Sequence, residues 1–218
     1  MSGVSAPPRI TALEPDPHRP GTVRLLVNGK LLCTVPLESV AAEQFAVGTV
    51  FDGEVRQRAE RVADQEAAYR SLLRALERRA FARRDLARRL VRRGHPGAAI
   101  EAALDRAQRA GLLDDAGFAG DYVETRAARG RGPSRITRDL TAMGVDRAVI
   151  DRALAERWPE ETDAGSLAAA LAAKRATQLG NLPAAIKRRR VLGYLARRGF
   201  AGREVREAVG RLLDRRPR

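Results

Sequence analysis

The side chains that most often perform catalysis or bind metal ions are scarce in this chain. Its 218 residues include two histidines, His18 and His95, and a single cysteine, Cys33. Zinc sites and His- or Cys-dependent active sites need several such groups close together, so both are disfavoured here. The sequence also lacks a glycine-rich phosphate loop followed by Lys and Ser or Thr, which argues against ATP hydrolysis. We therefore expect no catalytic activity, no cofactor and no metal.

Two adjacent carboxylates, Asp114 and Asp115, are the next candidates for chemistry. They come just before a stretch with helical spacing that contains Phe118 and Tyr122. An aspartate at that position can accept a hydrogen bond from a backbone N–H of the first helical turn. We expect one of the two to cap this helix rather than to bind a metal ion.

Arginine is the abundant charged group. Lys and Arg number 41 against 27 Asp and Glu, for a net charge of +14, and all but three of the basic residues are arginines. Residues 1–66, 67–112, 113–161 and 162–218 have net charges of −2, +8, −2 and +10. Biased codon use could raise arginine content, but it would not place an acidic segment between two basic ones. The pattern favours an acidic partner such as nucleic acid or a nucleoprotein.

The composition indicates the elements that carry these charges. Only 4% of residues are aromatic, and a core of Leu, Val and Ala is typical of helical proteins. The single cysteine fits a reducing compartment, and no apolar run approaches the roughly 18 residues that span a bilayer. The first residues also lack the pattern of a signal peptide. We expect a mainly α-helical protein in the cytoplasm, without membrane contact.

The N-terminal part has a different pattern. Residues 1–8 show no apolar periodicity, which predicts disorder. Two extended stretches, 23–27 and 30–35, flank Asn28 and Gly29, a dipeptide that favours a type I′ hairpin turn. A two-residue turn predicts the facing pairs Val27–Lys30, Leu25–Leu32 and Val23–Thr34. Further along, Asp52 and Asp64 each precede helical spacing, which predicts that each caps a separate short helix.

Three later segments share one spacing of apolar residues around a glycine. The sets are Leu86, Leu90, Gly94, Ile100 and Leu104; Ile136, Leu140, Gly144, Ile150 and Leu154; and Val191, Leu195, Gly199, Val205 and Val209. Each set predicts a helix ended by a left-handed glycine and followed by a second helix. One more helical stretch precedes each pair, which makes each unit a three-helix repeat.

These signals divide the chain into five parts. They are a disordered N-terminus at 1–8, a β-hairpin with short helices at 9–65, and repeats at 66–112, 113–161 and 162–218. Repeats of about 50 residues bury only thin cores, so neighbouring repeats should stack in series. We expect three tandem repeats forming an elongated, curved body with a small N-terminal hairpin extension.

Helical geometry separates arginines from apolar residues in the first and third repeats. At 100° per residue, Leu86 and Leu90 lie opposite a stripe formed by Arg84, Arg88 and Arg92, with Arg89 beside it. In the third repeat the buried side carries Val191 and Leu195, and the outer side carries Arg189, Arg190 and Arg197. Such faces are either simply solvated or bind phosphates, and the pattern leaves both open.

The ordered motifs resemble those of the RecX family, which comprises bacterial regulators of the RecA recombinase. The central motif runs from Leu112 to Ala119 and continues through Tyr122-Val123-Glu124, Arg126, Gly132-Pro133, Arg135-Ile136, Asp139-Leu140 and Met143-Gly144-Val145. The C-terminal motif includes Lys187-Arg188-Arg189, Tyr194-Leu195 and Arg197-Arg198-Gly199-Phe200. Asp139 stands where many members have glutamate. The resemblance covers roughly residues 66–215 well and 9–65 less closely.

The resemblance implies a monomeric regulator, mainly an inhibitor, that lies along the groove of the RecA filament on single-stranded DNA. It would suppress ATP hydrolysis, strand exchange and the coprotease activity of that filament in DNA repair and the SOS response. Its partners would be the filament and single-stranded DNA, with double-stranded DNA as a further candidate. The expected contact residues are Arg84, Arg88, Arg89, Arg92, Lys187, Arg188, Arg189, Arg190 and Arg197, followed by Arg126 and Arg135.

One alternative is an independent DNA-binding protein, such as a transcriptional regulator built from helix-turn-helix-like repeats. That protein would bind duplex DNA with base preference, yet no helix shows an evident set of Asn, Gln and Arg for reading base edges. The mode of inhibition is also open at this point. Capping filament growth, removing protomers and occluding the groove all need the same kind of contact.

Overall fold

In a computed structural model of the chain, which describes residues 6–158 and 161–214, helices predominate. The elements are β1 (Ile10–Pro15), β2 (Thr22–Val27), β3 (Lys30–Pro36), α1 (Leu37–Ala42), α2 (Gly53–Leu76), α3 (Arg83–Val91), α4 (Gly97–Arg109), α5 (Asp115–Ala128), α6 (Pro133–Met143), α7 (Arg147–Arg157), α8 (Glu161–Gln178), α9 (Ala184–Arg198) and α10 (Arg203–Asp214). The mainly helical fold with a small N-terminal sheet is confirmed. Residues 1–5 of the expected disordered start lie outside the described residues, and Pro8 accepts a hydrogen bond from the Phe51 N–H at 2.7 Å.

The chain divides into two compact units. One unit comprises Met1–Ala80 and Leu86–Leu113, and the other comprises Phe81–Asp85 and Asp114–Arg218. The first unit thus holds the sheet together with most of the first predicted repeat, and the second unit holds the second and third. The segment boundary that we expect after residue 65 falls inside α2.

The N-terminal sheet contains the predicted hairpin and one further strand. Its antiparallel order is β1-β2-β3, and Asn28 and Gly29 have the positive φ values of 49° and 75° that a type I′ turn needs. Val27 faces Lys30 as predicted.

The other two predicted hairpin pairs are wrong by one residue. Leu25 faces Cys33 rather than Leu32, and Val23 faces Val35 rather than Thr34, because the register shifts at a bulge next to Leu25. A shift of one residue exchanges the two faces of a strand. It places Val35, which is completely buried, in the core.

The helix after the sheet is longer than the sequence predicts. Asp52 caps α2, where its side chain accepts a hydrogen bond from the Val55 N–H at 2.9 Å, so that prediction is confirmed. The prediction for Asp64 is wrong, because α2 runs without a break from Gly53 to Leu76. Buried positions such as Ala59 and Leu72 continue on one face across Asp64, so the apolar pattern favours a single helix.

The segments predicted as repeats contain α2–α4, α5–α7 and α8–α10, although α2 begins before its segment does. Gly94, Gly144 and Gly199 end the middle helices α3, α6 and α9 with φ values of 82°, 87° and 90°, as predicted for left-handed caps. The apolar residues one turn apart in these helices are fully buried; they are Leu86, Leu90, Ile136, Leu140, Val191 and Leu195. The repeated spacing therefore marks the cores of the repeats.

Inside the second unit, the end of α9 meets the start of α6. The Gly132 N–H donates to the Arg198 carbonyl at 2.7 Å, and the Ser134 N–H donates to the Gly199 carbonyl at 3.3 Å. The first N–H groups and the last carbonyls of a helix lack partners within the helix, so each end satisfies the other. A Cβ on Gly199 would overlap Arg135, which leaves room only for glycine.

A similar close approach occurs where α6 ends. A Cβ on Gly144 would lie 2.6 Å from the Cβ of Arg84, at the beginning of α3. The Arg83 N–H also donates to Oδ1 of Asp115 at 2.7 Å. In both places the glycine that ends one middle helix packs on the beginning of the middle helix before it. Each cap glycine therefore has a packing role as well as a conformational one.

The Arg198 side chain stabilises the contact between α9 and α6. Its Nη1 donates to the carbonyls of Arg129 and Gly130 at 3.1 and 3.2 Å. Its guanidinium carbon lies 4.8 Å from the centre of the Tyr194 ring, a cation–π distance. Arg198 is a structural residue of the second unit.

We predict that Gly199→Ala destabilises the second unit more than Gly180→Ala. Both glycines have positive φ, so either alanine adds backbone strain of about 1–2 kcal/mol. Gly180 has no described atom near its missing Cβ, whereas Gly199→Ala also overlaps Arg135 and should cost about 1–3 kcal/mol more. Urea unfolding followed by the fluorescence of Trp158, the single tryptophan, measures the difference. Equal losses would show that the close approach does not matter.

We predict that Arg198→Ala lowers the free energy of unfolding by about 1–3 kcal/mol, because the carbonyls of exposed Arg129 and buried Gly130 lose a charged donor. Arg197 is the matched control, since it is the adjacent residue on α9 and is exposed. Arg197→Ala should change the stability by less than about 0.5 kcal/mol. Thermal unfolding followed by far-ultraviolet circular dichroism tests both. A loss of the same size in both variants contradicts the structural assignment of Arg198.

Candidate functional site

The arginines predicted on α3 lie on its outer side. Arg84, Arg88 and Arg92 are exposed and Arg89 is half-buried, while Leu86 and Leu90 on the other side are fully buried. We call these four arginines the α3 row. The helix has two turns and a half, so the row covers its whole length and presents concentrated positive charge.

The basic residues predicted on α9 form a second group. Arg188, Arg189, Arg190 and Arg197 are exposed and Lys187 is half-buried; we call these five residues the α9 row. Val191 and Leu195 hold the helix on its core. The bonds of Arg198 to the α5–α6 turn fix the C-terminal end of the helix. The α9 row therefore projects from a helix that is anchored at both its face and its end.

A third basic group lies between α5 and α6, where the structure brings Arg126 and Arg135 together. They line a cavity of about 390 Å³ whose other residues are Tyr122, Arg131, Asp139, Ala142 and Met143; we call it the α5–α6 pocket. Nε of Arg135 lies 3.0 Å from Oδ1 of Asp139. The guanidinium carbon of Arg126 lies 4.8 Å from the centre of the Tyr122 ring. The pocket is basic, although its repeat has a net negative charge.

Sequence reasoning missed Arg131 as a site residue. It lies in the turn between α5 and α6, next to Gly130, whose φ is 71°. The Arg131 N–H donates to the Arg126 carbonyl at 2.9 Å, which closes the turn and holds the two residues beside each other. The available signal was the Gly-Arg-Gly-Pro sequence, which predicts the turn but not the pocket beside it.

Arginine also stacks on all three tyrosines of the chain. Besides the pairs at Tyr122 and Tyr194, the guanidinium carbon of Arg106 lies 4.1 Å from the centre of the Tyr69 ring. Arg106 also contacts the carboxylates of Glu66 and Glu38 at 3.2 and 3.4 Å. Burial raises the pKa of Glu66, and Arg106 opposes that rise. Arg106 thus joins α4 to α1 and α2 within the first unit.

The side chains most suited to catalysis have structural surroundings. Burial raises the pKa of the Cys33 thiol to about 11, so the thiol stays protonated and packs in the core. His95 is half-buried, and its Nε2 lies 2.9 Å from Oγ of Ser71. Burial lowers the pKa of His95. Across residues 6–158 and 161–214, no three His, Cys, Asp or Glu side chains are grouped to hold a metal ion.

The acidic pair has two different structural roles. Asp114 caps α5, since its Oδ1 accepts from the Ala116 N–H at 2.9 Å, which confirms the predicted cap. Asp115 accepts from the Arg83 N–H at the start of α3 instead.

In the described part of the chain, no helix is long and apolar enough to cross a membrane.

Comparisons with known proteins agree with this architecture. Residues 114–154 match the family model described as RecX, second three-helix domain. The chain is 38% identical over 150 residues to the regulatory protein RecX of Halorhodospira halophila, covering 67% of this chain and 89% of that protein. It is 34% identical over 206 residues to the regulatory protein RecX of Corynebacterium efficiens, covering 92% and 94%.

Solved structures show the same fold. A crystal structure of regulatory protein RecX matches with a TM-score of 0.77 and 24% identity, covering 94% of this chain and 99% of that one. RecX from Lactobacillus salivarius matches with a TM-score of 0.60 and 20% identity, covering 68% and 96%. With sequence relatives matched along nearly their whole length and the fold shared, the chain belongs to the RecX family of regulatory proteins.

Proposed function

We propose that this protein regulates the RecA recombinase, mainly as an inhibitor, by binding along the groove of the RecA filament on single-stranded DNA. Bound there, it suppresses ATP hydrolysis, strand exchange and coprotease activity during DNA repair and the SOS response. It acts as a cytoplasmic monomer and not as an enzyme. Membership of a family of regulatory proteins supports a regulatory role.

The exposed basic rows are the observation that carries this proposal. Two middle helices, α3 and α9, each turn apolar residues inward and several arginines outward. Guanidinium groups form paired hydrogen bonds with both carboxylates and phosphates, which are the anionic groups of a nucleoprotein filament. Rows on two repeats let one molecule hold such a filament at two places, so that modest contacts add up to tight binding.

The first experiment measures ATP hydrolysis by a cognate RecA filament on single-stranded DNA as the full chain is titrated. We expect inhibition at protein concentrations well below that of RecA, because one regulator at a growing end or in a groove affects many protomers. Binding to the bare DNA is followed in parallel by fluorescence anisotropy. Tight duplex binding with base preference and no effect on hydrolysis would refute the proposal and favour an independent DNA-binding protein.

The second experiment reverses charges in each basic row. We expect Arg189→Glu with Arg190→Glu on α9, and separately Arg88→Glu with Arg92→Glu on α3, to raise the concentration needed for half-inhibition at least tenfold. Two reversed contacts remove attraction and add repulsion. Arg152→Glu on α7 is the control, since Arg152 is an exposed arginine outside both rows. This variant should reach half-inhibition at the same concentration as the unmodified chain.

Far-ultraviolet circular dichroism of each variant shows whether its helices are intact. Folded double variants that inhibit as well as the control would remove the rows from the contact surface. A variant that loses its helical signal would show instead that those arginines stabilise the fold, and the assignment of that row would be wrong.

A further inference from the structure

We propose that the α5–α6 pocket binds one phosphodiester group of a nucleic-acid backbone, with Arg126 and Arg131 as its ligands and Arg135 as a third donor positioned by Asp139. This proposal rests on the proposed function, since it names a chemical group that the regulator recognises within a nucleoprotein filament. It places a DNA contact in the repeat whose net charge argues against one.

The charges in the pocket are not balanced. Three guanidinium groups face the cavity, and Asp139 is the one carboxylate among its lining residues. Asp139 pairs with Arg135 at 3.0 Å and also receives the Tyr122 hydroxyl at 3.4 Å. Among the described side chains, neither Arg126 nor Arg131 has a carboxylate within salt-bridge distance. The pocket therefore keeps a net charge of about +2, which a phosphate group can neutralise.

The side chain of Arg126 and the backbone of Arg131 are held in position before any ligand arrives. Arg126 is half-buried and stacks on Tyr122, which itself lies near Phe118 at 6.1 Å between ring centres. Arg131 is exposed, and its backbone is fixed by the hydrogen bond to the Arg126 carbonyl. Holding a long side chain in place reduces the conformational entropy that binding would otherwise cost.

The pocket suits a phosphodiester better than the carboxylate of an acidic protein segment. Its volume of about 390 Å³ falls in the range of roughly 300–1,000 Å³ that small-ligand sites occupy, and it exceeds what one Asp or Glu side chain fills. A nucleotide unit would place its phosphate between Arg126 and Arg131. Its sugar or base would then contact the apolar side chains of Ala142 and Met143, which line the same cavity.

The test uses the full-length chain and a fluorescein-labelled oligothymidylate, with binding measured by anisotropy across a salt series. We expect Arg126→Gln with Arg131→Gln to weaken binding at least tenfold. The slope of log affinity against log salt should fall by about 0.7 in this double variant, which is the value for one lost phosphate contact on a single strand. Arg131→Gln alone should show half of that change in slope and leave the stacked Arg126 undisturbed. Arg152→Gln, which removes an exposed charge from α7, is the matched control and should change neither quantity beyond a general charge effect.

Competition separates the two anionic chemistries. Inorganic polyphosphate should displace the oligonucleotide from the unmodified chain better than polyglutamate of equal charge does. An unchanged salt slope in the double variant overturns the proposal. Polyglutamate that competes equally well, in a way that depends on Arg131, also overturns it and assigns the pocket to an acidic peptide. Unfolding followed by Trp158 fluorescence confirms that each variant folds.

The phosphate site and the regulatory function can fail separately in these experiments. If the unmodified chain inhibits ATP hydrolysis by the RecA filament while the pocket variants bind oligothymidylate normally, the phosphate site is wrong and the regulatory function stands. If the pocket variants lose oligothymidylate binding but the unmodified chain leaves hydrolysis unchanged, the phosphate site stands and the regulatory function is wrong.

Discussion

The hydrogen bond from the Gly132 N–H to the Arg198 carbonyl is the contact on which the second unit depends. It joins the unsatisfied donors at the start of α6 to the unsatisfied acceptors at the end of α9, and the opposite partial charges of the two helix ends add to it. The contact requires a backbone without a side chain at Gly199. It also sets the place of the turn that carries Arg131, so the architecture and the basic pocket have one origin.

The arginines fall into two classes, those that join elements of the fold and those on its surface. Arg198 and Arg106 are held by carbonyls, carboxylates and aromatic rings, and they join one element to another. The exposed arginines of α3 and α9 lie over buried apolar residues and are oriented outward by them. A net charge of +14 therefore overstates the charge that a partner meets. Exposure, rather than composition, identifies the arginines that can bind a partner.

Local signals made most of the fold predictable. The spacing around Gly94, Gly144 and Gly199 marks each helix end. A left-handed cap and apolar residues one turn apart depend only on residues that are close together in the sequence. Long-range effects were not predictable. The bulge beside Leu25 shifts the hairpin register, and Asp115 caps a helix that begins 32 residues earlier in the chain. The basic rows could be placed on helices, whereas the pocket around Arg131 needed the tertiary structure.

The second repeat shows why segment charge is a poor guide to binding. Its net charge of −2 suggests a surface that repels nucleic acid, yet at least three of its acidic residues serve the fold. Asp114 and Asp146 cap α5 and α7, and Asp139 pairs with Arg135. Carboxylates engaged with backbone N–H groups at helix starts contribute little negative charge to the distant turn, since salt screens exposed charges beyond about 10 Å. An overall acidic repeat can thus present a locally basic pocket.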